Sequence, residues 1–373
     1  MNSYFKIDSD IEKKLATTTA TSPVCSYNEW DPLEEVIVGV IDGANVPEWH
    51  IALEATMPEH NKDFFLQHAG KLFPLEELAL AKQELNNLAQ MLTMKGIQVV
   101  RPDIMNYQLP FSTPHWQSQG GLYGAMPRDL LLVIGDTLIE APMAWRSRYF
   151  EIEAYRSLLK NYFSRGAKWI SAPKPQLLDE LFNVNYDKMQ PQLSSNYVIT
   201  EFEPTFDAAD FIRCGRDIFV QQSHVTNQMG IEWLRRTISD EYTIHLIEIN
   251  DSAPMHIDAS FMPLAPGKLL LNPNRIKKVP TLFKHWEIKY APEPILPKHH
   301  HMYMSSAWVS MNVLMLDEKT VVVEKQETPL IDMLIDWGFD VIGIDFRHVM
   351  RFGGAFHCVT CDIRRQGLLQ SYF

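Results

Sequence analysis

Short apolar runs alternate with amphipathic stretches along most of the chain. Glu35–Gly39, Leu130–Ile134, Asp217–Gln221, Lys268–Leu271, Val313–Leu316 and Thr320–Val323 each read as a short strand bounded by turn residues. Helical patterns lie between them. Over Leu75–Met94, apolar residues such as Ala79, Leu88 and Leu92 recur on a helical repeat, and Gly96 supplies a stop. Trp145–Phe163 and Pro329–Gly338 carry similar patterns. The first helix runs into an extended segment, Gln98-Val99-Val100, so a strand–helix–strand unit recurs and the chain is expected to be an α/β protein. Residues 1–24 are polar and threonine-rich, which predicts a mobile arm with one helical turn near Ile11–Leu15. Regular order is expected from Tyr27. The Pro-rich piece Ala291–Pro297 reads as extended loop, and no stretch reads as a linker. The expected organisation is an arm over 1–24 and one domain over 25–373.

Composition narrows the classes. The chain has 373 residues, 46% of them hydrophobic, which is enough to bury a core without disulfide staples. Its formal net charge of -12 disfavours nucleic acid as a partner and favours small cations, guanidines and amines among them. Four cysteines are too few for a disulfide framework. The start of the chain lacks the apolar core of a signal peptide, and no apolar run is long enough to cross a bilayer. The expectation is a reducing, cytoplasmic location. No G-x-G-x-x-G follows a strand and no P-loop is present, so nothing supports a nucleotide cofactor.

The candidate chemistry lies in three segments. Near the end of the chain, Gly353-Gly354-Ala355-Phe356-His357-Cys358 places a thiol after paired glycines, which permit a tight turn and close approach of backbone to a ligand. Cys358 reads as a nucleophile or as a packed structural thiol. Paired with Cys361 it also fits a redox motif or half a zinc site, although Cys25 and Cys214 stand alone and supply no second ligand pair. Met255-His256-Ile257-Asp258 offers an imidazole with an acid two positions on, on one face if the segment is extended. Asp207 and Asp210 bracket two alanines. One of them could orient His256, or Asp207 could simply cap a helix. Arg128-Asp129, at a strand edge, is a solvated ion pair or a ligand clamp. The run His299-His300-His301 follows the Pro-rich loop and reads as solvated loop, not as a metal site.

Taken together, these segments resemble the glycine amidinotransferase family. The resemblance runs from Ser26 to Phe373 through Ser26–Val36, Ala125–Asp129, Glu140–Arg148, Glu203–Asp210, Gly215–Phe219, Met255–Asp258, Asn272–Arg275, Met304–Ser306 and Phe356–Cys358, all in order. It implies the pentein fold, a five-bladed α/β propeller of ββαβ modules with pseudo-fivefold symmetry. It also implies roles: Cys358 as nucleophile, His256 as general acid and base, and Asp207 as the acid that orients His256. By the same resemblance Asp129 and Asp258 grip a guanidinium, while Arg275, Ser305 and Ser306 hold the amino-acid part of the substrate.

The implied reaction is transfer of the amidino group of arginine through an amidino-cysteine to an acceptor amine. Ornithine leaves, the kinetics are ping-pong, and neither cofactor nor metal is required. A homodimer is also implied. Thr205 and Cys214 depart from the residues common around the Asp207 motif. Ala253 stands where strict glycine enzymes carry a larger polar residue, so Ala253 and Met255, just before His256, are expected beside the acceptor and open the pocket to a larger amine of a natural-product pathway, as in saxitoxin-type toxin biosynthesis. Arginine deiminases and dihydrolases use a similar residue set on the same fold, and a hydrolase is the alternative reading.

Overall fold

The computed structural model describes residues 22–187, 197–251, 253–295, 303–304 and 306–373. The helical turn expected near Ile11–Leu15, the run His299–His301 and Ser305 lie outside the described residues.

Five three-stranded sheets share one topology. In the second, β3 (Leu131–Ile134) pairs antiparallel with β4 (Thr137–Glu140), and helix α2 (Arg156–Ser164) returns the chain to β5 (Lys168–Ser171), parallel to β4. The third repeats this with β6 (Phe211–Cys214), β7 (Asp217–Val220), α3 (Gln228–Thr237) and β8 (Thr243–Leu246). The fourth uses β9 (Phe261–Ala265), β10 (Lys268–Leu271) and β11 (Glu287–Tyr290), with a short 3-10 segment, Thr281–His285, before the third strand. The fifth uses β12 (Leu314–Met315), β13 (Thr320–Glu324), α4 (Thr328–Asp336) and β14 (Asp340–Ile344). The first is assembled from both ends of the domain. There β1 (Leu33–Val38) lies between the C-terminal β15 (Thr360–Arg365), antiparallel, and β2 (Gln98–Val100), parallel and reached through α1 (Leu75–Met94).

Sequence pattern explains the gradient across each sheet. The first strands, such as Leu131–Ile134 and Phe211–Cys214, are buried throughout, Leu131–Ile134 as a continuous apolar run and Phe211–Cys214 with Arg213 among apolar residues. The third strands, such as Lys168–Ser171, are partly exposed. Helix α1 buries Leu78, Ala81, Leu85, Leu88 and Leu92, one stripe at helical spacing, and stops at Gly96 with φ of 84°. Glycine at positive φ makes the hairpin corner at Gly135 and at Gly215, and at Gly215 a Cβ would come within 2.0 Å of the Gln370 carbonyl oxygen.

The ring closes between the fifth and first sheets. Leu33 N–H donates to Leu316 O at 2.8 Å, and the Arg365 guanidinium reaches Met315 O at 2.8 Å. Order begins before Tyr27: Val24 is buried and Cys25 N–H donates to Ile363 O at 2.9 Å. The helix expected over Trp145–Phe163 is broken into 3-10 turns at Arg146–Arg148 and Glu151–Tyr155 before α2 starts. Those turns carry Arg148 and Glu151 inward, where they are buried and paired with each other at 2.8 Å.

Candidate active site

A short turn precedes the first strand of each sheet, and these five turns converge. They are Pro127–Leu130, Ala208–Asp210, Ile257–Ala259, Ala307–Met311 and the loop that ends at Cys358. They bring Asp129, Asp207, His256, Asp258, Asn312 and Cys358 together, although up to 229 positions separate them in sequence (Asp129 to Cys358). Donor atoms of Asp129, His256 and Cys358 lie within 4.8 Å of one another.

His256 Nε2 donates to Asp207 Oδ2 at 3.1 Å, and its Nδ1 faces Asp129 Oδ1 at 3.6 Å. Burial works against the imidazolium, but the two carboxylates outweigh it and hold the His256 pKa well above its ordinary value. Asp207 occupies the cap position of its turn, yet its side chain makes no capping bond. It is committed to His256 and to Arg148 Nη1, at 3.5 Å. Asp210 points elsewhere, accepting from Gln221 Nε2 at 2.7 Å and Ser223 Oγ at 2.6 Å. The two acids that the sequence left undecided are therefore separated by their partners.

The segment around His256 is not extended. His256 has φ of 60°, and Ile257–Ala259 is a 3-10 turn, so the shared strand face expected for His256 and Asp258 does not exist. The turn instead carries Asp258 Oδ2 to 3.5 Å from Cys358 Sγ. Arg128 and Asp129 also part company. Arg128 is buried against Glu29 and Asp362, while Asp129 Oδ2 accepts from Arg148 Nη1 at 2.9 Å. Neither is a solvated pair. Asp129 Oδ1 and Asp207 Oδ1 are buried and accept no hydrogen bond among the described residues, which suits a site that waits for a cationic N–H donor.

Cys358 is buried, and burial together with the nearby Asp258 pushes its thiol up to about 12. Gly354 is required at its position, because a Cβ there would lie 2.5 Å from Cys358 Cβ and 2.7 Å from Met126 Sδ. Cys361 is no partner for Cys358: it sits in β15 and its thiol donates to Leu131 O at 3.5 Å. All four cysteines are free.

A cavity of about 370 Å³ opens onto the thiol, lined by His256, Asp258, Asn312 and Cys358 and farther out by Ala253, Met255, Arg275 and Ser306. Arg275 is fixed by Asp251 at 2.9 Å and reaches Ser306 Oγ at 3.3 Å.

Several residues around the site were given no role from the sequence. Arg148 ties Asp129 and Asp207 together, and Asn312 touches the sulfur. His357 spans Asp258 at 2.7 Å and Glu29 at 3.1 Å. Behind His357, Glu29 pairs with Arg213 at 2.7 Å, and Asp362 pairs with Arg213 at 2.8 Å and Arg365 at 2.7 Å. Glu29, Arg148 and His357 lie inside motifs that carry the family resemblance, but nothing in the sequence gave them a role.

No family model matches the chain. Curated relatives match over nearly its whole length. An L-arginine:L-lysine amidinotransferase of Pseudomonas savastanoi pv. phaseolicola is 54% identical over 360 residues, 96% of this chain and 99% of the relative. A mitochondrial glycine amidinotransferase of Xenopus tropicalis is 48% identical over 370 residues, 97% of this chain and 87% of the relative. Among solved structures, the amidinotransferase SxtG of the saxitoxin biosynthetic pathway, from Microseira wollei, superposes with a TM-score of 0.88 at 50% identity, covering 94% of this chain and all of that one. A dimethylarginine dimethylaminohydrolase shares the fold alone, with a TM-score of 0.55 at 12% identity, covering 88% of this chain and 98% of that one. The five-sheet ring with a buried cysteine, histidine and carboxylates at its centre is that of the pentein-fold enzymes. Within that class, the chain belongs to the amidinotransferase family.

Proposed function

We propose that this enzyme takes the amidino group from L-arginine onto Cys358, releases ornithine, and passes the group to an acceptor amine in a ping-pong cycle. The observation that carries the reading is the convergence of Cys358, His256 and Asp129 within 4.8 Å, with Asp207 on His256, at the centre of an amidinotransferase fold. Asp129 and Asp258 hold the planar guanidinium by charge-assisted hydrogen bonds. Arg275, Ser305 and Ser306 hold the amino-acid end. The bound cation offsets the carboxylates that keep Cys358 protonated, and the thiol gives up its proton to solvent, since His256 already carries one. Sulfur attacks the central carbon, the C–N bond to ornithine breaks, and His256 delivers a proton to the departing amine. The acceptor enters the vacated cavity, His256 removes its proton, and the S–C bond breaks.

Ala253 and Met255 line the cavity just before His256, and in this reading they border the acceptor. The small Ala253 favours an amine larger than glycine, in keeping with a role in natural-product biosynthesis. Lysine, which the 54% identical relative takes by name, is the first candidate. In this reading residues 25–373 form one domain behind an N-terminal segment over 1–24, whose Val24 packs into the core. The enzyme works in the cytoplasm as a homodimer, and no described helix is long and apolar enough to cross a membrane.

Incubation with arginine alone, followed by mass spectrometry of the Cys358 peptide, tests the first half-reaction. The expected result is a gain of one amidino group with stoichiometric ornithine. Continuous release of citrulline and ammonia would establish a hydrolase instead. A panel of acceptors tests the second half, and Ala253→Asn is expected to shift preference from lysine toward glycine. Unchanged preference would remove Ala253 from the specificity argument.

A further inference from the structure

Four of the five converging turns supply a carboxylate, an imidazole or the thiol. The fifth, Ala307–Met311, supplies Asn312, which is buried and lines the cavity beside Cys358. Its side chain makes three hydrogen bonds to the nucleophile's loop. Oδ1 accepts from Cys358 N at 2.9 Å and from Ala355 N at 3.0 Å, while Nδ2 donates to Cys358 Sγ at 3.1 Å. The two backbone N–H groups fix the amide's orientation, since only its oxygen can accept them, and so its N–H faces the sulfur. The Asn312 carbonyl adds a fourth tie, accepting from His357 N at 3.3 Å.

We propose that Asn312 is a catalytic residue of both half-reactions, its Nδ2–H stabilising the negative charge that develops on Cys358 Sγ. The proposal rests on the amidinotransferase reading. In the first half the thiol proton leaves, the S–C bond forms and the C–N bond to ornithine breaks. The thiol proton goes to solvent and the His256 proton goes to the departing amine, which leaves His256 neutral and able to take the acceptor's proton in the second half. In the second half the S–C bond breaks and its electron pair returns to sulfur, where the same N–H receives it. A neutral donor suits this position. The sulfur is faced by Asp129, Asp258, His256 and Tyr123, and a cationic guanidinium must bind among them. A lysine or arginine at 312 would repel that substrate, whereas an amide donates without adding charge.

The test uses two variants of the full chain. Asn312→Asp keeps the shape and the oxygen that accepts Ala355 and Cys358 N–H, but loses the donor. Asn312→Ala loses the donor without adding charge. Single-turnover formation of the amidino-cysteine at saturating arginine is expected to fall about 10²- to 10³-fold in both variants, the usual effect of deleting one donor to a developing anion. The pH profile for alkylation of Cys358 by iodoacetamide is expected to move to higher pH in both. Thermal unfolding of Asn312→Asp should stay close to that of the parent. Retention of the parental rate and profile by Asn312→Asp would reduce Asn312 to a loop clamp and overturn the proposal. A shift in Asn312→Asp alone, with Asn312→Ala at the parental profile, would be the effect of added charge and would overturn it equally. Parental enzyme that forms no adduct with arginine would overturn the amidinotransferase reading. The alkylation profile, which needs no substrate, would still decide the role of Asn312.

Discussion

Cys358 keeps its proton in the resting site, because burial and Asp258 push the thiol up to about 12. A buried thiol beside carboxylates is a poor nucleophile at neutral pH. The same carboxylates become useful once a guanidinium lies between them, since the cation then favours thiolate over thiol. Reactivity is thereby tied to occupancy by the correct substrate. In the free enzyme, alkylation of Cys358 should accelerate steadily up to strongly alkaline pH. A saturating guanidinium cation should move that profile to lower pH, because a positive neighbour lowers a thiol pKa. Protection from alkylation with no such move would contradict the charge argument. His256 follows the same logic with opposite sign. It is the charged partner of two acids, and its backbone sits at φ of 60°, a conformation that costs about 1–3 kcal/mol and is held by the surrounding turns.

At the scale of elements, the recurrent unit is a turn followed by a buried strand. The strand is rigid because it is packed on both faces, and the turn is short, so the residue it carries has little freedom. The loop Gly353–Cys358 is the most exacting of the five. Gly353 has φ of 102°, and a side chain at Gly354 would overlap Cys358 and Met126. Gly354→Ala is expected to displace the thiol while leaving the five sheets intact. Displacement by about 1 Å can lower a rate by roughly 10²-fold. Turnover measured beside thermal unfolding would check this, and full activity in a normally folded variant would refute it. The broken helix over Trp145–Phe163 belongs to the same scale: its 3-10 turns set Arg148 against Asp129 and Asp207, with Glu151 paired to Arg148 from the other side.

Across the whole molecule, the ring is locked by a buried charge network. Glu29 and Asp362 sit among Arg128, Arg213 and Arg365, and His357 connects that cluster to Asp258 in the site. Burial alone would raise the pKa values of Glu29 and Asp362, but the arginines, joined at Glu29 by His357, outweigh it and hold both acids well below their ordinary values. An acid depressed in the folded state contributes stability that is present above its unfolded pKa and is lost as pH falls through the folded pKa. With unfolded values of about 4, this contribution is complete near neutrality and declines below roughly pH 4. The part of the urea midpoint that this cluster supplies should be level from neutrality to about pH 5, and the midpoint should fall steeply below about pH 4. A midpoint unchanged at pH 3 would mean the cluster adds nothing to stability. Breaking one buried pair in such a network costs about 3–5 kcal/mol.

Local patterning by itself determined the α/β class, helix α1 at Leu75–Met94 and strand β10 at Lys268–Leu271, because apolar spacing and glycine stops act over a few residues. The long motifs around Asp207, His256 and Cys358 determined the family. Tertiary structure decided what depends on direction. Asp207 faces His256 while Asp210 turns away, and Arg128 faces the charge cluster while Asp129 faces the site. Asn312 and His357 bond to the nucleophile and to its carboxylate neighbour. Those orientations are set by turns that converge only when β15 closes on β1, and no local pattern records which way a turn will aim its side chain.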